Sequence, residues 1–172
     1  MMTIHQIAEL IQDVPDFPKP GILFKDITPI LDNPEAFRSL AKIFAAQLDP
    51  DTEKLIAIES RGFILGSAVV QHFNAGLELV RKPGKLPRKT IQYSYELEYG
   101  KDTLEMHQDS IKKGQKVAII DDVLATGGTA RATGELIKQL GGEITGLHCL
   151  LEIEFLKGRD TLDFPTYSLI QC

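Results

Sequence analysis

The sequence lacks several features that would place it in a specialised class of protein. Its two cysteines, Cys149 within an apolar run and Cys172 at the end, do not make a disulfide framework, so a cytoplasmic location is expected. No apolar stretch reaches the roughly 18 residues that cross a membrane. The first residues carry Glu9 and Asp13 instead of a long apolar core, and a signal peptide is therefore not expected.

An excess of positive charge is missing as well. The net charge is -5 at pH 7, which argues against nucleic acid or an acidic membrane as a partner. The hydrophobic share of 43% and the charged share of 25% are ordinary for a globular protein, and the 172 residues are expected to form one domain, residues 1–172. An anionic ligand would have to be bound by a local cluster of positive groups.

One stretch, residues 117–132, carries the strongest functional signal. It begins with four apolar residues, VAII, which are typical of a strand buried on both faces. Asp121 and Asp122, called the acidic pair below, follow where that strand is expected to end. The small residues ATGGT at 125–129, called the phosphate loop below, then lead directly into a helical pattern of apolar residues.

This order of elements predicts an anion site with a sugar beside it. Free backbone N–H groups and the positive end of the helix converge on the loop, and its glycines allow a phosphate to come close. Thr126 and Thr129 add hydroxyl donors. The loop is neither a Walker A motif nor a GxGxxG motif. The acidic pair just ahead of it predicts contacts to the hydroxyls of a sugar whose phosphate lies in the loop.

Alternating strand and helix patterns predict the fold. Strands are expected at residues 55–58, 77–80, 117–120, 144–153 and 167–170. Helices are expected from Thr3 to about residue 14, from Asn33 to about residue 47, from residue 61 to about residue 74, and after residue 129. Residues 91–107 are expected to form two extended arms, with one wet face at residues 104–107. Together these patterns predict an α/β fold, with a mostly parallel twisted sheet flanked by helices.

Several polar segments follow the predicted strands of this sheet. They are the acidic pair, the phosphate loop, the segment SRG at residues 60–62 and a basic loop at residues 81–89. Because open parallel sheets bind ligands beyond the carboxyl ends of their strands, we expect these segments to share one crevice.

Further segments carry a resemblance to a known family. They are PDFP at 15–18, PGILFKDITP at 20–29, ESRGF at 59–63, RKPGKLP at 81–87, LEYGK at 97–101 and LKGR at 156–159. Together with the stretch at 117–132, and in this order, they resemble the type I phosphoribosyltransferases, specifically the members that act on adenine. The resemblance implies that family's fold, with an N-terminal helix and base-binding hood at residues 1–33, a core at 34–172 and a flexible extended lid at about 86–105.

The resemblance also implies an activity. The family members concerned transfer phosphoribosyl from 5-phosphoribosyl 1-pyrophosphate (PRPP) to adenine, giving AMP and pyrophosphate in purine salvage. A homodimer is implied, as is Mg²⁺ held mainly by PRPP and pyrophosphate. The four histidines show no metal-ligand spacing, so no protein side chain is expected to bind metal. Two alternatives stay open, a 6-oxopurine phosphoribosyltransferase and a non-catalytic PRPP-sensing regulator, although the charge speaks against the regulator.

Roles for individual residues are carried over from the same resemblance. For catalysis, it implies Glu98, Asp121, Asp122 and Arg61. For the 5-phosphate, it implies Ala125, Thr126, Gly127, Gly128 and Thr129. For pyrophosphate, it implies Ser60, Arg61, Gly62, Arg81, Lys82 and Lys85, with a cis peptide bond between Glu59 and Ser60. For the base, it implies Leu23, Phe24, Lys25 and Val123, where lysine replaces the usual arginine at position 25. For the lid, it implies Glu98 and Tyr99.

Overall fold

The computed structural model describes residues 1–97 and 100–172. Its helices are α1 (Ile4–Ala8), α2 (Thr28–Asp32), α3 (Pro34–Gln47), α4 (Arg61–Val69) and α5 (Gly128–Gln139). Its strands are β1 (Gln12–Pro15), β2 (Leu23–Asp26), β3 (Lys54–Ile58), β4 (Gly76–Val80), β5 (Thr90–Leu97), β6 (Gly100–His107), β7 (Lys116–Leu124), β8 (Glu143–Glu152) and β9 (Thr166–Gln171). Two short 3-10 helices, Glu154–Leu156 and Gly158–Thr161, lie between β8 and β9.

A five-stranded sheet forms the centre, in the order β4-β3-β7-β8-β9. Every neighbouring pair in it is parallel. Its central strands are apolar on both sides because helices cover both faces, as all-parallel sheets require. The predicted α/β class and parallel sheet are therefore confirmed. All strand carboxyl ends lie at one edge, which is where the functional segments follow.

The two faces of the sheet carry separate hydrophobic cores. Side chains such as Ile56 and Ile119 pack with α5 and with Tyr95, Leu104 and Met106 of the β5–β6 hairpin. Neighbouring positions such as Leu55 and Ala118 point the other way and pack with residues of the first four helices. This alternation follows from the two-residue period of a strand. None of the helices in the described part of the chain combines the length and apolar character needed to cross a bilayer.

The predicted first helix is too long. Thr3 does cap it, through a capping box with Gln6, but the helix ends at Ala8. The expectation that it reached about residue 14 is wrong, because Val14 pairs with Phe24 in the antiparallel β1–β2 hairpin. Val14 continues the helical spacing of apolar residues, but it pairs with another strand instead. The periodicity of one segment cannot show that it pairs with a different segment.

Two other predicted boundaries are also corrected. Helix α4 ends at Val69 instead of about residue 74. The N–H groups of Gln71 and His72 bond to carbonyls three residues back, which is the spacing of a turn and not of an α-helix. The expected wet face at residues 104–107 is wrong at Glu105, which is only 2% exposed. The helix from Asn33 is confirmed, with the Asn33 side chain accepting from Glu35 and Ala36.

Candidate active site

A cavity of about 960 Å³ opens at the carboxyl edge of the sheet. This is the size of cleft that holds a small-molecule ligand. It brings together predicted site residues from four separate segments: Leu23, Phe24, Lys25, Ser60, Arg61, Asp121, Asp122, Val123, Ala125 and Thr129. The crevice expected from the strand ends is therefore present for the acidic pair, the phosphate loop and the segment at residues 60–62, but the basic loop does not line it.

The acidic pair lies inside β7 and not after its end. Pairing with β8 continues through Val123 and Leu124, so the expected strand end at residue 120 is corrected. The Asp122 side chain is 7% exposed, and Arg61 Nε lies 2.5 Å from its Oδ2. The angle of this contact with Arg61 does not fit a hydrogen bond. Asp122 Oδ2 therefore has no hydrogen-bond donor among the described residues. It is a charged acceptor that a ligand hydroxyl could satisfy.

Asp121 is the member of the acidic pair whose pKa is raised. Burial and the adjacent negative charge of Asp122 raise the pKa of the Asp121 carboxyl well above its usual range, although its Oδ1 accepts from the Asp122 N–H at 2.9 Å. An unfolded Asp titrates at about 3.9. Its ionised form therefore costs stability in the folded protein as the pH rises from that value toward the raised pKa.

We expect Asp121→Asn to raise the melting temperature of the ligand-free protein by about 2–4 °C near pH 8, because a partly buried negative charge beside Asp122 is removed. At pH 4 the gain should be much smaller, since the carboxyl is then protonated in the folded state and only about half ionised in the unfolded state. Calorimetry of both proteins from pH 4 to pH 8 measures the difference. A gain that did not depend on pH would contradict the assigned cause.

The phosphate loop forms a small concavity of about 90 Å³, lined by all five of its residues. Helix α5 begins at Gly128, and Gly127 precedes it with φ of 85°. Free N–H groups of the first turn therefore face this hollow, as an anion site requires. The segment LKGR supports the loop from behind, because Gly158 packs directly against Ala125 and Gly127.

The two loop glycines differ in what a side chain would meet. A Cβ on Gly127 would lie 2.5 Å from the Gly158 carbonyl oxygen and would need a strained positive φ. A Cβ on Gly128 would lie 3.3 Å from the Tyr95 ring. Gly127 is therefore needed for folding of the loop, whereas Gly128 leaves room for a modest change.

We expect Gly128→Ala to raise the PRPP KM several-fold with a small change in melting temperature, because the added methyl presses on the Tyr95 ring and so disturbs the loop beside it. Gly127→Ala should lower the melting temperature by several degrees, because its methyl meets backbone. Steady-state kinetics and calorimetry on both variants separate the two effects. Unchanged PRPP affinity in Gly128→Ala would mean that the loop merely turns the chain.

The segment after β3 has the expected backbone. The peptide bond between Glu59 and Ser60 is cis, as the resemblance implied. A Cβ on Gly62 would lie 2.8 Å from the Ile120 carbonyl oxygen, so only glycine lets α4 begin this close to β7. The Arg61 guanidinium lies 5.1 Å from the centre of the Phe24 ring as well as beside Asp122. Arg61 thus joins the hood to the acidic pair.

The basic loop does not line the cavity but is bonded to a residue that does. Arg81, Lys82 and Lys85 do not line it. Glu59, which does line it, accepts from Arg81 Nε at 3.0 Å and from the Lys82 N–H at 2.9 Å. The Lys82 ammonium pairs with Asp102 of β6. Glu59 therefore ties the start of the basic loop to the cavity wall, a role that the sequence motif did not reveal.

The hood is the β1–β2 hairpin. Phe24 packs edge-on against Phe17 at 5.0 Å, and Val123 lies in the same cavity. The Lys25 ammonium binds Asp13 at 2.7 Å. The side chain of Lys25, which stands where the resemblance implies arginine, is therefore paired within the hairpin.

Tyr95 of β5 is a site neighbour that sequence patterns missed. Its hydroxyl lies 3.1 Å from Asp102 Oδ2 and 3.2 Å from Thr129 Oγ1. Since a carboxylate only accepts, Tyr95 donates to Asp102 and accepts the Thr129 proton. The β5–β6 hairpin is thus hydrogen-bonded to the phosphate loop through one buried phenol.

Other parts of the site were beyond sequence reasoning. The cavity is also lined by Ile22, Ile153, Phe155, Leu156 and Cys172. These are apolar or small residues without a chemical signature. Ile22 is placed by the turn between β1 and β2, and the other four by the way the C-terminal segment folds back. The predicted lid residues Glu98 and Tyr99 lie outside the described residues. Within residues 1–97 and 100–172, no group of three or more metal-binding side chains is found.

Comparisons with known proteins agree with this geometry. Residues 26–170 match the family described as the phosphoribosyl transferase domain. The chain is 51% identical over 168 residues to adenine phosphoribosyltransferase of Christiangramia forsetii, covering 96% of this chain and 98% of that protein. It is similar to the crystal structure of adenine phosphoribosyltransferase from Thermoanaerobacter pseudethanolicus, with a TM-score of 0.95, 45% identity and coverage of 99% and 100%. It is also similar to the Saccharomyces cerevisiae enzyme complexed with D-2,5-dideoxy-2,5-imino-altritol 1,6-bisphosphate and adenine, with a TM-score of 0.91, 36% identity and coverage of 96% and 97%.

Proposed function

We infer the function from the premise that this chain belongs to the type I phosphoribosyltransferase family, within which it is an adenine phosphoribosyltransferase. It transfers the phosphoribosyl group of PRPP to adenine and releases AMP and pyrophosphate, a reaction of purine salvage. The roles of individual residues, the metal, the oligomeric state and the compartment are the parts that we propose.

One observation carries the assignment of roles, namely the order of groups along the cavity. Arg61 contacts both Phe24 of the hood and Asp122 of the acidic pair. Asp121 and Thr129 line both the large cavity and the hollow of the phosphate loop. These shared contacts give the order hood, acidic pair, phosphate loop. Base, ribose and 5-phosphate follow one another in the same order in AMP. The proposed assignment is that each group of the protein binds the part of the nucleotide beside it.

In the proposed mechanism, adenine N9 forms a bond to the anomeric carbon as the bond to pyrophosphate breaks and its electron pair leaves with pyrophosphate. The N9 proton passes to water. Positive charge develops on the ribose ring in an oxocarbenium-like transition state. Asp122 Oδ2, buried and without a donor among the described residues, is suited to bind a ribose hydroxyl and to stabilise that charge. Binding of the remote 5-phosphate positions the reacting carbon.

Positive groups are proposed to balance the pyrophosphate. Ser60, Arg61 and Gly62 lie at the start of α4, where N–H groups and a guanidinium can hold diphosphate oxygens. Arg81, Lys82 and Lys85 follow β4 and would add charge, either in the same subunit or across a dimer. Glu98 and Tyr99 are proposed to act from the lid, which would exclude water from the reacting centre.

Mg²⁺ is proposed to enter with the substrate. The donor set fits this, because the described residues offer no cluster of three metal ligands and Mg²⁺ favours phosphate oxygens and water over a protein cage. When bound, it would offset charge on the leaving pyrophosphate. The protein residues would bind the substrate that carries it.

The homodimer and the cytoplasmic location are further proposals. A dimer would bring a second basic loop near each cavity if the loop acts across the interface. Sedimentation of the protein with and without PRPP tests the oligomeric state. Both thiols are free, Cys149 buried and Cys172 exposed, which supports a reducing compartment.

Incubation with PRPP, Mg²⁺ and a panel of bases tests the function. We expect pyrophosphate release with adenine and formation of AMP in equal amount. Release with hypoxanthine, guanine or xanthine in preference would favour a 6-oxopurine enzyme. Binding of PRPP without turnover of any base would favour a sensor.

A further inference from the structure

Glu105 is a buried acid that the mechanism above does not use. It lies on β6 and is 2% exposed, on a strand whose sequence predicted a wet face there. Burying a carboxylate is costly unless it is fully hydrogen-bonded. Its partners should therefore reveal what the charge is for.

The carboxylate binds the basic loop. Its Oε1 accepts from the N–H groups of Lys85 and Leu86, each at 3.0 Å. Its Oε2 accepts from Thr90 Oγ1 and Gln92 Nε2, each at 3.2 Å. Burial would raise the pKa of Glu105, but the N–H groups of Leu86 and Gly84 and the Gln92 amide outweigh it and hold that pKa below its usual range. Glu105 is therefore ionised at neutral pH.

The backbone of the same strand and of the residue after it closes the loop at both ends. Arg81 and Glu105 exchange two backbone hydrogen bonds, at 3.0 and 2.8 Å. At the other end, the N–H of Gln108, the residue that follows β6, donates to the Lys89 carbonyl at 3.0 Å. The basic loop is thus attached to β6 at its start and to the residue after β6 at its end, and the Glu105 carboxylate holds its middle.

We propose that Glu105 is a positioning residue for PRPP, which fixes the basic loop so that its cationic side chains are presented to the pyrophosphate. The inference rests on the proposed function, since it assumes that this loop meets PRPP. Glu105 itself touches no substrate. It acts through the backbone of Lys85 and Leu86, and so its loss should weaken PRPP binding while the adenine site stays intact.

Glu105→Gln is the sharpest test, because it keeps the size of the side chain. A Gln amide has one acceptor oxygen, and its NH₂ group fits on the side of Thr90 and Gln92, whose hydroxyl and amide oxygen can turn to accept. The N–H groups of Lys85 and Leu86 then face a neutral oxygen instead of a carboxylate, and these weaker hydrogen bonds should loosen the loop. Glu78→Gln is the matched control, since Glu78 is half-buried on β4 and bound to Lys54 at 3.1 Å, away from the basic loop.

Titration calorimetry with PRPP and Mg²⁺, together with steady-state kinetics, gives the readout. We expect Glu105→Gln to raise the PRPP Kd roughly tenfold, with adenine KM and kcat at saturating PRPP within about twofold of the parent. Glu78→Gln should leave all of them unchanged. A PRPP Kd within about twofold of the parent, an equal rise in adenine KM, or the same change in the control would overturn the proposal.

Hydrogen exchange on the parent protein keeps the proposal testable if Glu105→Gln does not fold. The amides of Lys85 and Leu86 should be protected without ligand, and exchange at the rate of an open chain would overturn it. A failure of the proposed function would give a different result from a failure of the positioning role. A parent that binds no PRPP would overturn both, whereas a parent that binds PRPP with an unchanged variant overturns the positioning role alone.

Discussion

Adenine should be used about 10⁴-fold more efficiently than hypoxanthine, measured as kcat/KM at saturating PRPP. The reason lies in the edge of β2. Among the described strands, β2 pairs with β1 only, so its other edge carries backbone N–H and C=O groups that no strand satisfies. In an antiparallel pair, residues two apart on one strand turn their N–H and C=O groups to the same side. The backbone groups of Leu23 and Lys25 can therefore bind the same ligand edge.

A carbonyl on this edge can accept from the 6-amino group of adenine. The same carbonyl would face the 6-oxo group of hypoxanthine with lone pair against lone pair, and both would be left unsatisfied. Comparable kcat/KM for hypoxanthine or guanine would contradict this mode of recognition, although transfer to adenine would still stand.

Two variants separate stacking from backbone recognition. Phe24→Ala should raise the adenine KM strongly, because it removes the aromatic face of the hood. Lys25→Arg should change adenine use only modestly, because the Lys25 ammonium is bound to Asp13 and the proposed contact is through the backbone. Phe24 also contacts the Arg61 guanidinium, so the PRPP Kd must be measured in parallel. A Kd close to that of the parent would assign the loss to the base.

Asp122→Asn should lower kcat by about 10²-fold or more, with little change in melting temperature. The substitution keeps the size of the side chain and removes a negative charge that is 7% exposed and lies 2.5 Å from Arg61. In the ligand-free protein the Asp122 charge attracts Arg61 and repels Asp121, so the two effects of its removal on folding stability oppose each other. The main effect of the substitution is therefore expected on the substrate.

The control for this variant is Asp51→Asn, in which an exposed carboxylate loses its pairing with Lys116. Exposed ion pairs contribute little, so kcat and melting temperature should both stay close to the parent. Single-turnover measurements with saturating PRPP and adenine report the chemical step directly. Equal activity of Asp122→Asn and the parent would remove Asp122 from the ribose site.

Local patterns predicted the elements whose causes are local. The cap at Asn33 identified α3 because the Asn33 side chain bonds to N–H groups two and three residues away. The apolar runs identified the parallel strands because residues buried on both faces must be apolar throughout. Boundaries failed where a distant partner decided them, as at Val14, which pairs with Phe24, and at Asp121, which pairs with Cys149.

The site divides in the same way. The sequence by itself determined the phosphate loop, the acidic pair and the family, because these depend on the order of residue types along one short stretch. Tertiary structure alone decided that Tyr95 meets Thr129, that Glu59 binds the basic loop and that Glu105 is buried beneath it. Each of these contacts joins segments far apart in the chain. A polar residue looks the same in a sequence whether its hydrogen-bond partner is water or a distant backbone amide. Only the folded chain shows which of the two it is.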